Sequence, residues 1–215
     1  MNLLLCAATP FEIDPLVQLI SKENIREVDV LITGVGLTAA THALTKAVLT
    51  KKPRFILQAG IAGCINKQLP LTKVVIVESE TLGDLGVEEN GIFRSVFDLN
   101  LMDKNSPPWK NGKLSNDVEP LRKTGMTIVN AVTVNEISTD EKRIEFYRNS
   151  LSADIESMEG AALHYVALSE NISFLQMRSL SNFVGERDKN KWVMDIAIAN
   201  LNLELQRIFL KMMNR

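Results

Sequence analysis

The sequence predicts an α/β protein built on a mostly parallel or mixed sheet. Short apolar runs alternate with helix-patterned segments along most of the 215 residues. Glycine, proline or asparagine breakers stand at the ends of those runs, and no repeat or linker-like stretch interrupts them. Residues 1–215 are therefore expected to form a single domain.

The elements follow in order. Asn2–Ala8 (NLLLCAA) is too uniformly apolar for a half-exposed strand and reads as a buried one. Asp14-Pro15 is read as an N-cap with proline at the first helical position, opening a helix to about Ser21. Val28–Thr33 is a second strand, stopped by Gly34-Val35-Gly36, and Thr38–Thr50 a helix rich in alanine and leucine. Phe55–Gln58 begins a third strand that is expected to end in the small-residue turn Ala59–Gly63. Lys73–Val77 is a fourth strand. Leu82–Pro120 is the least regular region, with Asn90-Gly91 as a hairpin signal and Pro107-Pro108 as a breaker. Met126–Val132 restores a strand, and a polar helix runs from Asp140 to Arg148. Ala153–Ile155 reads as a brief strand, Glu159–Ser169 as a helix and Ile172–Leu180 as the last strand. Trp192–Met213 closes the chain as an amphipathic helix, its faces marked by Ile196, Ala199, Leu203 and Arg207.

Composition removes several classes of function. Lys+Arg 24 against Asp+Glu 26 gives a net charge of −2, with no basic cluster to neutralise a nucleic-acid backbone. No run approaches the roughly 20 apolar residues of a membrane span. The opening MNLLLCAATPFEID lacks a basic leader, so a cytoplasmic, soluble protein is expected. Cys6 and Cys64 have no disulfide or metal spacing and read as small buried apolar residues. His42 and His164 lie far apart with no ligand motif, so neither metal nor cofactor is expected.

In α/β folds ligands bind beyond the carboxyl ends of the strands, so the chemistry is sought there. Glu12 follows the first strand, where a surface glutamate is the plainer alternative. Gly34-Val35-Gly36 is half of a dinucleotide fingerprint, with Ala39 where the third glycine belongs. Its glycines, like those of Ala59-Gly60-Ile61-Ala62-Gly63, allow close backbone approach to a ligand, or merely tight packing. Glu156 and Glu159 flank Met158 at a helix start, where ordinary capping accounts for one of them. Arg178–Asn182 ends the last apolar run in a polar tip, and Asn182 could be an Asx-turn residue.

Taken in order, Glu12, GVG, AGIAG, SMEGAA and RSLSN resemble the purine nucleoside phosphorylase/nucleosidase superfamily over nearly the whole chain. The branch concerned contains methylthioadenosine/adenosylhomocysteine nucleosidase. Within it, SNFVGERDKNKW is similar to the futalosine hydrolases, which act in an alternative menaquinone pathway. The resemblance implies a three-layer α/β/α domain with a partly barrel-like mixed sheet. It also implies hydrolysis of a purine–ribose N-glycosidic bond, with hypoxanthine released from futalosine. It makes Glu12 the water-activating carboxylate, Glu159 the acceptor of both ribose hydroxyls and Met158 the residue against the sugar face. Gly36, Ala62, Gly63 and Val134 become substrate-contacting positions, and Asn182 the group at the leaving base. A homodimer or larger homo-oligomer is also implied. Leu82–Pro120, with Phe93, Phe97 and Trp109, is the segment expected at its interface.

Three departures from the family pattern stand out. The stretch before Val28 is short, and Ile61 replaces a hydroxyl residue in the glycine turn. Asn182 replaces an aspartate. Hypoxanthine presents two adjacent acceptors, which suit an amide's two N–H donors better than a carboxyl group. A carboxylated 5′ substituent calls for a cation, for which Arg187 is the candidate. A phosphorylase would carry an arginine before the central glycine turn, where Leu57-Gln58-Ala59-Gly60 has none. The alternatives are an adenine-directed nucleosidase, a phosphorylase and a nucleoside-binding module without catalysis.

Overall fold

The computed structural model describes residues 2–213. β1 (Leu3–Ala7) is buried at every position, and its side chains divide strictly between two cores. Leu3, Leu5 and Ala7 face one cluster, with Leu16, Leu201, Leu205 and Phe209. Leu4 and Cys6 face another, with Leu44, Val48, Leu163 and Val166. A strand between two helical layers must be apolar on both faces, hence the uniform NLLLCAA run. α1 (Asp14–Lys22) and α6 (Met194–Met213) cover the first face, and α2 (Leu37–Lys51) and α5 (Gly160–Ser169) the second.

The main sheet is mixed. β2 (Val28–Ile32) and β3 (Phe55–Cys64) flank β1 in parallel. β10 (Ser173–Phe183) runs parallel to β3 along its whole length and pairs antiparallel with β4 (Val74–Leu82). β4 pairs with β8 (Thr127–Thr133), β8 with β9 (Ile155–Ser157), and β9 returns to the end of β3. Five strands thus close into a barrel-like ring around Ala62, Val75, Val77, Ala131, Ile155 and Leu180. The three-layer, partly closed architecture expected from the sequence is the one observed.

Several local expectations need correction. Ala59–Gly63 is not a turn: β3 continues to Cys64, because β10 pairs along one side of it, while on the other side the Ile61 N–H goes to Glu12 and β9 pairs from Gly63. Asp14 is not an N-cap but the first residue of α1, since a 3₁₀ turn at Pro10–Glu12 leads into it. The brief strand begins at Ile155 rather than Ala153, and the last strand runs on to Phe183 with its register shifted between Leu180 and Asn182. α6 buries Ala197, Leu201, Leu205 and Ile208, while Ile196, Ala199 and Leu203 point to solvent.

The irregular region is locally explicable. β5 (Gly86–Glu89) and β6 (Ile92–Ser95) form the hairpin signalled by Asn90-Gly91, both of which take positive φ. β7 (Leu114–Ser115) adds to β4, and α3 (Val118–Arg122) and α4 (Glu141–Asn149) are each N-capped by an aspartate, Asp117 and Asp140. The three aromatics singled out in this region each make contacts within the chain. Trp109 is buried edge-on against Phe97, and Phe93 lies against Phe146 under the Arg143 guanidinium.

Candidate active site

A cleft of about 550 Å³ opens where the carboxyl ends of β1, β3 and β10 meet the start of α5. Glu12, Met158, Glu159, Asn182 and Arg187 line it, as do Ala62 and Gly63. Two other expected contacts do not. Val134 is fully buried against Ile65, Val132, Ile144 and Tyr147, on the far side of β8. Gly36 follows the lining residue Val35 and serves the site indirectly, its N–H donated to Glu159 Oε1 at 3.0 Å.

Glu12 is held by the 3₁₀ turn on which it sits. Its Oε2 accepts from the Thr9 backbone N–H at 2.9 Å and hydroxyl at 3.1 Å, and its Oε1 from the Ile61 N–H at 3.1 Å. Asn202 on α6 fixes the same residue from behind, its Nδ2 donating to the Glu12 carbonyl at 2.9 Å. The carboxylate is buried and aimed by backbone it did not have to order for itself.

Glu159 ends the loop after β9 at the N-cap position of α5. Its second oxygen faces the Arg178 guanidinium at 3.8 Å, an ion pair rather than a hydrogen bond. Arg178 is fully buried on β10 and donates to Gln58 Oε1 at 3.1 Å. Gly60 lets it in: a Cβ there would run into Arg178 Nη1 and stand 2.7 Å from Glu12 Oε1. Arg178 therefore lies between the two carboxylates and offsets part of their repulsion in a site of low dielectric. The motif RSLSN contained this residue, but only the strand pairing of β10 with β3 reveals its place.

Behind α5 lies a further buried carboxylate, Glu80. Glu80 accepts from Gln176 Nε2 at 2.9 Å and from the Thr133 hydroxyl at 2.8 Å, and Thr133 Oγ in turn takes the Ala161 N–H at 2.8 Å. Burial pushes its carboxyl up to about 7, against those hydrogen bonds. The glycine of MEGAA is explained here, since a Cβ on Gly160 would collide with Glu80 Oε1 and stand 2.5 Å from Gln176 Nε2. His164 is buried on the same helix with Nδ1 against the Leu114 carbonyl at 2.9 Å, and burial lowers it to about 4. It is a neutral core residue. Cys6 and Cys64 are free and buried, their thiols pushed up to about 12 and about 11 by burial. Among the described residues no three His, Cys, Asp or Glu side chains gather as a metal would require.

At the other end of the cleft Asn182 is half-buried. Its Oδ1 accepts from Ser181 Oγ at 2.8 Å and its Nδ2 donates to the Phe183 carbonyl at 3.0 Å. One of the two N–H groups is thus already engaged, leaving one for a ligand rather than the expected pair. Glu156, which the sequence offered as a possible helix-capping charge, is instead on β9 and lines the cleft too. Its Oε1 accepts the Ser138 N–H at 3.2 Å, and its buried Oε2 has no partner among the described residues. Arg187 is exposed, with its guanidinium 5.5 Å over the Trp192 ring, and is not paired with Asp188 or Glu186; Glu186 pairs with Lys191 at 2.6 Å.

Comparison with known proteins agrees with this architecture. The chain is 29% identical over 182 residues to a futalosine hydrolase of Thermus thermophilus, covering 83% of this chain and 79% of that one. It is 29% identical over 180 residues to a futalosine hydrolase of Streptomyces coelicolor, covering 80% and 74%. The solved futalosine hydrolase of Helicobacter pylori superposes with a TM-score of 0.79 at 15% identity over 97% of both chains. A methylthioadenosine/S-adenosylhomocysteine nucleosidase from Neisseria meningitidis superposes with a TM-score of 0.77 at 16% identity, over 95% of this chain and 97% of that one. A family model described as the phosphorylase superfamily matches residues 18–209, and with that match the chain belongs to the phosphorylase superfamily.

Proposed function

We propose that the protein hydrolyses the N-glycosidic bond of futalosine, releasing hypoxanthine and dehypoxanthine futalosine, as a step of menaquinone biosynthesis in the cytoplasm. The observation that carries this reading is the convergence of Glu12 and Glu159, both buried, on one cleft beside Asn182. The two curated futalosine hydrolases that match four-fifths of the chain supply the substrate. Residues 1–215 are read as one catalytic unit.

In this mechanism the C1′–N9 bond lengthens toward an oxocarbenium-like sugar. Glu12 takes a proton from water as the water oxygen bonds C1′, the departing purine takes up a proton from solvent, and Glu12 then returns its proton to solvent, so that one water is consumed. Glu159 accepts both ribose hydroxyls, a task suited to an ionised carboxylate, and Met158 packs against the sugar. Asn182 donates its remaining N–H to the purine. Arg187, stacked on Trp192 at the mouth, meets the carboxylate of the 5′ substituent.

Water is favoured over phosphate by charge. Glu12, Glu156, Glu159, Glu186 and Asp195 line the cleft, against Arg187 as the one cationic side chain among its described lining residues. An anionic nucleophile would be repelled. Phe11, Val35, Ile137 and Met194 are exposed around the cleft, which suits burial by a second copy in a homo-oligomer.

The test is to incubate purified protein with futalosine, with and without inorganic phosphate, and measure free hypoxanthine. Release at the same rate in both supports the proposal. A phosphate requirement, or faster release of adenine from methylthioadenosine, would overturn it.

A further inference from the structure

Among the described residues of α6, Asn202 is the one buried polar side chain, 3% exposed between the apolar Leu201 and Leu205. Those two leucines share a cluster with Ile13 and Leu16, which follow Glu12 in the chain. Apolar contact is therefore enough to hold α6 against this segment. An amide is a poor choice for that task. Its Oδ1 is buried without a hydrogen-bond partner among the described residues, a state that lowers stability. Adhesion of the helix gives no reason for asparagine here.

Its two N–H groups give one. They donate to the carbonyls of Glu12 and Ile198, each at 2.9 Å. Both partners are acceptors, so only the amide nitrogen can face them. Ile198 lies one turn back in the same helix, whereas the bond to Glu12 spans 190 residues of chain. Glu12 sits on a 3₁₀ turn of three residues, Pro10–Glu12, closed by the Ile13 N–H on the Pro10 carbonyl. A turn this short has little rigidity of its own. Asn202 grips the residue at its carbonyl, while Thr9 and Ile61 grip it at its carboxylate.

We infer that Asn202 is a positioning residue for the general base: by holding the Glu12 carbonyl it fixes the turn from which the carboxylate meets Thr9, Ile61 and the attacking water. Asn202 does not line the cleft, so it acts on turnover through Glu12 and not through contact with substrate. This inference rests on the reading of Glu12 as the water-activating carboxylate.

The experiment is a double-mutant cycle of Asn202→Ala and Glu12→Gln, read as hypoxanthine release from futalosine. In Asn202→Ala kcat should fall about tenfold or more while KM stays within about threefold of wild type, because a misplaced base weakens the chemical step and not binding. In the Glu12→Gln background the same substitution should change kcat no further, since the group it positions is already disabled. An equal reduction in both backgrounds would mark Asn202 as merely structural and overturn the inference, as would wild-type kcat in Asn202→Ala. A second readout does not depend on activity. Hydrogen exchange of the Thr9 and Ile61 amides, both bonded to the Glu12 carboxylate, should quicken in Asn202→Ala while that of Leu57 in the core of β3 does not. Unchanged exchange at Thr9 and Ile61 overturns the inference. A wild-type protein that releases no base from futalosine would reject the proposed function, and the exchange measurement would still decide whether Asn202 positions the carboxylate. Should Asn202→Ala not fold, Asn202→Ser replaces it in both measurements, since a helical serine bonds the carbonyl one turn back and leaves Glu12 free.

Discussion

Gly36 donates its backbone N–H to Glu159 Oε1 at 3.0 Å, joining the glycine turn after β2 to the start of α5 across 123 residues. The contact needs the turn's geometry: Gly36 sits at φ +93°, a conformation that side chains rarely adopt. The glycine pair that resembled a nucleotide-binding fingerprint therefore serves a side chain of the protein itself. With Oε1 fixed by Gly36 and Oε2 facing Arg178, the Glu159 carboxylate is oriented before any ligand arrives.

Replacing Glu12 by Gln is expected to leave the fold intact, since Gln can still accept from Ile61 or Thr9. Turnover should fall by about 10²–10⁴-fold, the usual contribution of a general base. Steady-state kinetics on futalosine measures it, and near-normal kcat would remove Glu12 from the mechanism.

Glu159→Ala should cost ribonucleosides more than their 2′-deoxy counterparts, by on the order of 1.5–3 kcal/mol for the lost charged hydrogen bond. The comparison is kcat/KM on inosine and 2′-deoxyinosine. Equal losses on the two would reduce Glu159 to a charge at a helix start.

Gly60→Ala places a methyl group where Arg178 Nη1 now sits and 2.7 Å from Glu12 Oε1. Overpacking of this kind typically costs about 1–3 kcal/mol, and here it must also displace a carboxylate or its counter-ion. Lower stability in urea together with a fall in kcat is the expected result. Wild-type values for both would contradict the close approach.

Glu80 makes stability depend on pH. Its carboxyl is raised to about 7 in the native protein from an ordinary value near 4.5, so the native state holds a proton that the unfolded chain has lost between those limits. Its contribution is fully present below about 4.5 and is lost as pH rises through about 7, at about 1.4 kcal/mol for each pH unit, a total on the order of 3 kcal/mol. His164, lowered to about 4, acts in the opposite sense between about 4 and 6.5. The difference between wild type and Glu80→Gln isolates the carboxylate. Urea unfolding of both at pH 5 and pH 8 should show Glu80→Gln gaining relative to wild type at the higher pH. A constant difference would mean that Glu80 does not titrate in this range.

Much of this protein is decided by local sequence. The NLLLCAA run could only be a strand covered on both faces, and Asn90-Gly91 could only turn a hairpin with two positive φ angles cheaply. The order Glu12, GVG, AGIAG, SMEGAA, RSLSN also placed Glu12, Met158, Glu159 and Asn182 at one site, and all four line the same cleft. Periodicity records which face of an element is buried, and that signal survives without knowledge of the neighbours.

What the neighbours decide was not legible. Ala59–Gly63 has the composition of a turn, yet it stays extended because β10 pairs along its whole length and β9 joins it at Gly63. Val134 faces away from the cleft because a position at a strand's end says how close a residue is in sequence, not which side of the sheet it serves. The places of Arg178 between two carboxylates and of Glu156 and Asn182 on either side of Gly63 depend on β10 and β9 each pairing with β3, far away in sequence. Local sequence determined the elements and most of the reacting groups. Closure of the five-stranded ring, through contacts between distant segments that no local pattern encodes, decided how those groups face one another.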